Sequence, residues 1–302
     1  MLSIGAVERD TGLSKDLLRV WERRYAFPKP ARDAHGERIY APEQVEKLRL
    51  IRRLMDRGLR PGKLIACPIE ELQAMSKGAH GGADPVVATP ELAALLGLLR
   101  SHAVEQLRGA LGQAAARQGL ANFVVGTVAP LNQLVGDAWM RGEIEVFEEH
   151  LYSEVLQVVL RQAIAGLPRI GETPRVLLTT LPGETHGLGL LMAEAMLTLE
   201  SARCVSLGVQ TPVRDIARAA ASQRSQVVAL SFSASFPAGQ IAAGLVELRE
   251  QLPDEVEIWA GGSAAGLDRR SAAAVRIIHS LEALHAEVGG WRDRHSGLLG
   301  SA

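Results

Sequence analysis

The chain has 302 residues, with 33 Lys or Arg against 34 Asp or Glu and a formal net charge of -1. At 47% hydrophobic and 22% charged it is neither disordered nor collagen-like, and it is long enough for more than one buried core. No run of about 18 apolar residues suggests a membrane span. The opening residues lack a basic-then-apolar leader pattern, and Cys67 and Cys204 are too few for a disulfide scaffold or a structural zinc site, so a cytoplasmic protein is expected.

The charge is uneven along the chain. Residues 1–63 hold 15 cations and 9 anions, a net +6, and the remainder carries -7. Such asymmetry fits a basic nucleic-acid module joined to an acidic body, although a basic solvated face gives the same numbers. Within the module, Ser3-Ile4-Gly5-Ala6-Val7 opens a short helix to about Thr11, Gly12 suits a tight turn, and Ser14 is a good N-cap. The helix from about Lys15 to Arg24 turns Leu17, Leu18 and Trp21 inward and leaves Lys15, Arg19, Arg23 and Arg24 able to reach a duplex. This is a helix-turn-helix, whose second helix fits a major groove. Pro28 and Pro30 stop it, and Arg38-Ile39-Tyr40 follows the turn residues Asp33-Ala34-His35-Gly36 as a hairpin wing. A third helix starts near Pro42-Glu43 and spaces Val45, Leu48, Ile51 and Leu54 for one face.

The Gly, Ala and Pro content of residues 76–90 predicts a flexible linker in which His80 is inert. Residues 91–170 read as four amphipathic helices, a small four-helix bundle, with Pro130 placed to kink the third. By periodicity Trp139 is a core residue, and His150 is a satisfied buried or surface histidine beside Glu149. Over residues 171–288 strands and helices alternate, which predicts a doubly wound parallel sheet of Rossmann-like type. The closing helix should end near Val288, leaving 289–302 as a tail. Ligands in such sheets sit at the carboxyl ends of the strands. Those ends carry Glu184, Thr185 and His186, then Ser231 and Ser233, then Gly261 and Gly262. His186 reads either as a general base or as a metal ligand oriented by Glu184, and Gly187 and Gly189 would let a flat, bulky group approach the backbone. No nucleophile elbow and no zinc-spaced His/Cys/Glu set accompanies it.

Several of these segments resemble known families. Ile4-Gly5-Ala6-Val7, Thr11-Gly12-Leu13-Ser14, Leu18 through Tyr25 and Gly36-Glu37-Arg38-Ile39-Tyr40 together resemble the MerR-family winged helix over residues 1–75, with Leu17 where many relatives have Thr. The resemblance implies double-stranded DNA as partner, with Lys15, Arg19, Arg23, Arg38 and Tyr40 as candidate contacts; Arg23 and Tyr40 could instead brace the wing. Glu184-Thr185-His186-Gly187-Leu188-Gly189 resembles the cobalamin-binding loop, whose His is the lower cobalt ligand, and Ser231-Phe232-Ser233 and Gly261-Gly262 resemble the signatures around the buried dimethylbenzimidazole tail. In this order the modules are similar to the CarH/LitR photoreceptor repressors, which implies adenosylcobalamin, a homotetramer in the dark, and release from DNA on illumination. The same resemblance implies that Trp139 and Glu149 pack around the 5′-deoxyadenosyl group, with His150 beside them. Some relatives carry a His directly after the bundle Trp, where this chain has Met140, so a product with that histidine on cobalt is excluded. The alternatives are a light-independent regulator sensing cobalamin or another tetrapyrrole, and a cobalamin-carrying module of a methyltransferase or mutase.

Overall fold

A computed structural model describes residues 1–56, 59–78, 88–168, 173–234, 236–262, 264 and 274–299. The chain divides into two compact units, Met1–Val87 with Val135–Glu149, and Ala88–Leu134 with His150–Ala302.

In the first unit, β1 (Leu2–Ser3) leads into α1 (Ile4–Thr11), capped by the Ser3 side chain, which accepts from the Ala6 amide. Gly12 ends α1 at φ 68°, a left-handed conformation that favours glycine. Ser14 caps α2 (Lys15–Tyr25) by accepting from the Leu17 amide, so both helix starts follow their serines. The Thr11 hydroxyl donates to the Val7 carbonyl and accepts from the Leu13 amide, fixing the angle between the two helices. The wing is β2 (Ala31–Arg32) and β3 (Arg38–Tyr40), whose turn is closed by Asp33 accepting from the His35 and Glu37 amides. With β1 they form an antiparallel sheet in the order β1-β3-β2, Leu2 opposite Tyr40. Three further helices follow, α3 (Pro42–Asp56), α4 (Pro61–Ala66) and α5 (Ile69–Gly78). Val7, Leu13, Leu18, Trp21, Tyr40, Leu48, Ile51, Leu54, Leu64 and Leu72 make one core. Leu17, expected inward, only packs against its edge.

Of the expected linker, Ser76 to Gly78 complete α5 and Thr89 caps the next helix; residues 79–87, His80 among them, lie outside the described residues. The helical region comprises α6 (Pro90–Arg100), α7 (Val104–Gln118), α8 (Leu120–Phe123), α9 (Ala129–Arg141) and α10 (Val146–Ala165). Between α8 and α9 a π-helical segment spans Val124–Val128, with the Ala129 amide donating to the Val124 carbonyl. Pro130 has no N–H and its ring crowds the carbonyl four residues back; the wider turn just ahead of it is where the helix absorbs that mismatch.

The sheet domain alternates β4 (Arg175–Thr179), α11 (Leu188–Leu199), β5 (Arg203–Gly208), α12 (Val213–Ser222), β6 (Val227–Phe232), α13 (Ala238–Gln251), β7 (Glu257–Gly262), β8 (Val275–Ile277) and α14 (Ala283–Leu299). All pairings are parallel and the order is β5-β4-β6-β7-β8. Strand order reverses at β4, so the crevice beyond its carboxyl end is the place this topology offers a ligand. The central strand β6 is apolar because both faces are covered, with Val228, Leu230 and Phe232 packed against α12 and α13 in the larger core.

One expectation is corrected at the end of the chain. The closing helix does not stop at Val288, and 289–299 is not a tail, because α14 continues to Leu299. Gly289 and Gly290 signal a helix end, and each costs about 1 kcal/mol inside one. Burial of Trp291, 1% exposed, outweighs that cost, and Arg292 donates to the carbonyls of Thr173 and Glu200.

Candidate functional site

The loop after β4 is built around a buried carboxylate. Thr180 directly follows the strand, its hydroxyl donating to the Glu184 carbonyl at 2.7 Å and accepting from the Gln210 amide at 2.8 Å. This ties the loop to the segment after β5. The Glu184 side chain is 1% exposed. Its Oε1 accepts from the His186 amide at 2.9 Å and stands 2.7 Å from His186 Nδ1. Its Oε2 accepts from the Ser233 amide at 2.7 Å and the Ser233 hydroxyl at 2.8 Å. Burial pushes the Glu184 carboxyl up, but the donors from His186 and Ser233 outweigh it and hold the group below the usual range, as a carboxylate. The His186 ring is 55% exposed at the end of this chain of contacts. A carboxylate on Nδ1 fixes the tautomer and leaves Nε2 as the atom a metal would take.

The three strand-end signatures meet at this point. Ser231 and Phe232 on β6 pair in register with Gly261 and Gly262 on β7. A Cβ at Gly189 would stand 2.6 Å from Ser231 Oγ, so the first turn of α11 lies against β6 with no room for a larger residue. Gly262, at φ 69°, would drive a Cβ into the Phe232 carbonyl. Gly187, at the head of α11, has the Val209 side chain 3.2 Å from where its Cβ would be. The hydroxyls of Thr179 and Thr211 are 2.7 Å apart at the same end of the sheet. Neither Thr180 nor this pair was singled out in the sequence, because a Thr at a strand end has no motif of its own. The backbone at Gly187 and Gly189 is not open to a flat group as the sequence suggests, since Val209 and Ser231 stand where their side chains would be; it is the half-exposed histidine held by a buried carboxylate that fits the cobalamin donor set.

Trp139 and Glu149 belong to the other compact unit, and His150 is an exposed residue of the second. Trp139 is half-buried on the last turn of α9. That turn closes with the Gly142 amide donating to the Trp139 carbonyl and the Glu143 amide to the Ala138 carbonyl, Gly142 being at φ 71°. The Glu148 side chain accepts from the Glu145 amide at 2.6 Å and starts α10. Glu149, half-buried, lies in the first turn of α10. The sequence offered no sign of the guanidinium of Arg53, which stands 5.6 Å over the Trp139 ring.

On the helix-turn-helix, Arg23 is exposed on α2, Lys15 pairs with Glu8 at 3.4 Å, and Arg19 pairs with Asp16 at 3.0 Å. Arg38 donates to Glu22 at 2.9 Å, which ties the wing to α2. Tyr40 is corrected as a DNA contact. It is 0% exposed in the core of the unit, because register opposite Leu2 turns its ring inward. Val20, 40% exposed on α2, is an apolar residue on the recognition helix that charge-based reading passed over.

The chain matches three family descriptions in order: MerR HTH family regulatory protein over residues 2–65, B12 binding domain over 92–164, and B12 binding domain over 174–284. It is 31% identical over 259 residues to the HTH-type transcriptional repressor CarH of Myxococcus xanthus, covering 84% of this chain and 86% of the relative. The chain belongs to the CarH family of MerR-type, cobalamin-binding transcriptional regulators. A second relative, the HTH-type transcriptional repressor CarA of the same organism, is 29% identical over 295 residues, covering 95% of this chain and 93% of the relative. Among solved structures, the monomethylamine corrinoid protein of Methanosarcina barkeri superposes with a TM-score of 0.52 at 17% identity, covering 64% of this chain and 94% of that one. That likeness is one of fold alone. The first match takes in β1 to α4, the second α6 to α10, and the third β4 to the start of α14 with the His186 loop. Among the described residues no helix is long and apolar enough to cross a membrane.

Proposed function

We propose that this protein is a light-responsive repressor that binds its operator as an adenosylcobalamin-dependent homotetramer and leaves it on illumination. The observation that carries the reading is the Glu184–His186–Ser233 constellation at the switch point of the sheet. His186 would hold the cobalt through Nε2, with Glu184 fixing the ring, and the nucleotide tail would be taken up near the Gly187, Gly189, Ser231, Gly261 and Gly262 signatures at the same strand ends. Bound adenosylcobalamin would supply a cobalt–carbon bond that light can cleave. Trp139 and Glu149 would cover the adenosyl side and exclude water, and His150 would stand beside them. The names of the relatives, CarH and CarA, support repression over activation.

Assembly links the two ends of the molecule. Several winged helices on one operator bind with linked contacts, so anything that disperses the tetramer lowers DNA affinity without altering a head. Met140 follows Trp139, so a histidine at that position does not take the cobalt after illumination; the light-state spectrum should differ from that of relatives with histidine there. The domain limits that go with this reading are 1–78 for the head, 90–170 for the helical module and 171–299 for the sheet module, since α5 runs to Gly78, α6 starts at Pro90 and α14 reaches Leu299.

Gel filtration of the adenosylcobalamin-loaded protein, in the dark and after green light, is the test. The expected result is a dark oligomer that shifts to smaller species on illumination, with His186→Ala losing tenfold or more in cobalamin affinity. An elution volume that ignores light would leave a light-independent cobalamin sensor. Unchanged cobalt spectra in His186→Ala would remove the ligand assignment.

A further inference from the structure

The contact between Arg53 and Trp139 lies inside one compact unit and joins the winged-helix part of the chain to the turn that carries the bundle tryptophan. Arg53 sits on α3, a helix whose buried hydrophobic residues are Val45, Leu48, Leu50, Ile51 and Leu54. It breaks that apolar pattern, yet it is 8% exposed. Its guanidinium carbon stands 5.6 Å from the centroid of the Trp139 ring. Its Nη1 lies 2.8 Å from where a Cβ of Gly142 would be, so a side chain at Gly142 would displace the end of the guanidinium. Burial and the charge of Arg49 lower the Arg53 pKa and the charge of Glu145 raises it, with burial the largest influence, so the cation is costly to bury. A long cation buried on an aromatic face and against a glycine is a specific arrangement, since an apolar residue would fill the same place without the desolvation cost.

We propose that Arg53 is a latch: in the cofactor-free chain it holds the winged-helix elements against the Trp139 turn and competes with adenosylcobalamin for Trp139. The inference rests on the reading that Trp139 packs on the bound cofactor. Arg53 touches no reacting atom and acts as a positioning residue through Trp139. Ligand binding then takes the indole from the guanidinium and frees α3, which gives cofactor and head a shared residue. By the same linkage, a head engaged elsewhere leaves the indole open to the ligand.

The test is absorbance titration with adenosylcobalamin in the dark, on the full chain and on Arg53→Met, which keeps the length of the stem and removes the charge. Arg53→Met is expected to bind about 2- to 30-fold tighter, the range of a desolvated cation–π contact. A lesion that merely damaged the fold would weaken binding, so the sign separates the two. Arg53→Lys, which keeps the charge but not the guanidinium group, should shift in the same direction by less and serves if Arg53→Met does not fold. Hydrogen exchange on the cofactor-free proteins gives a readout that needs no ligand: amides of Ala138 to Ile144 should lose protection in Arg53→Met. Equal or weaker cofactor binding by the variants, with the wild type binding normally, overturns the latch alone. Failure of the wild type to bind adenosylcobalamin at all removes the functional reading, and the competition with it.

Discussion

At the scale of single residues, two positions show how burial decides a role. Tyr40 has the right family position for a DNA contact, but its ring is in the core and its buried hydroxyl has no hydrogen-bond partner among the described residues. An unsatisfied buried hydroxyl costs stability, so Tyr40→Phe should be neutral or stabilise by about 1 kcal/mol, and operator affinity should not change. Denaturant unfolding and a DNA titration on the same variant check both halves. Gly189 is the second position. Its Cβ would meet Ser231 Oγ at 2.6 Å, so Gly189→Ala should cost about 1–3 kcal/mol by overpacking. Adding Ser231→Ala removes the clashing atom, so the double variant should recover part of that loss rather than sum the two costs. Additive losses in a thermal melt would show that the two side chains do not touch.

Elements follow local chemistry where caps and patterns agree, and depart from it where tertiary burial is larger. Both serine caps and the Gly12 turn formed where the sequence placed them. The α14 helix did not end at its glycines, because the residues beyond them anchor it to the sheet. Arg294 donates to both carboxylate oxygens of Glu257 on β7, which also accepts from the Trp259 indole at 2.9 Å. Burial pushes the Glu257 carboxyl up, yet the Trp259 and Arg294 donors outweigh it and hold the group below its ordinary value. A depressed carboxylate stabilises the fold above its unfolded pKa, and that contribution is lost as pH falls through the folded value. Wild type should therefore exceed Glu257→Gln by about 1.5–3 kcal/mol at neutral pH, with the gap closing in the acid range. Urea unfolding of both proteins at several pH values measures it; a gap independent of pH would place the loss in packing and not in charge.

For the whole molecule, the near-zero net charge conceals +6 on residues 1–63 against -7 on the remainder. A basic head should bind DNA largely through phosphates, with strong dependence on salt. Arg23, exposed on α2, is expected to make one such contact per head. Arg23→Ala should weaken binding to all sequences alike and reduce the magnitude of the log–log salt slope by about 1 per head. Fluorescence anisotropy at several salt concentrations reads this directly. A loss confined to one operator sequence would make Arg23 a base contact instead.

The sequence by itself determined the order of modules, the helix-turn-helix with its caps, the parallel sheet and the family to which the chain belongs. Those features are local: a serine before a helix, a glycine at a turn and an apolar strand between turn residues each act on their immediate neighbours. The motif at Glu184 and His186 was legible for the same reason, since the two residues that make the contact lie two apart in the chain. Tertiary structure alone decided the rest. Ser233 reaches Glu184 across 49 residues, Tyr40 turns inward through pairing with Leu2, Trp291 carries a helix past two glycines, and Arg53 finds Trp139. Each of these depends on which faces meet after folding, and burial energy between distant segments sets that, where local propensity has no preference.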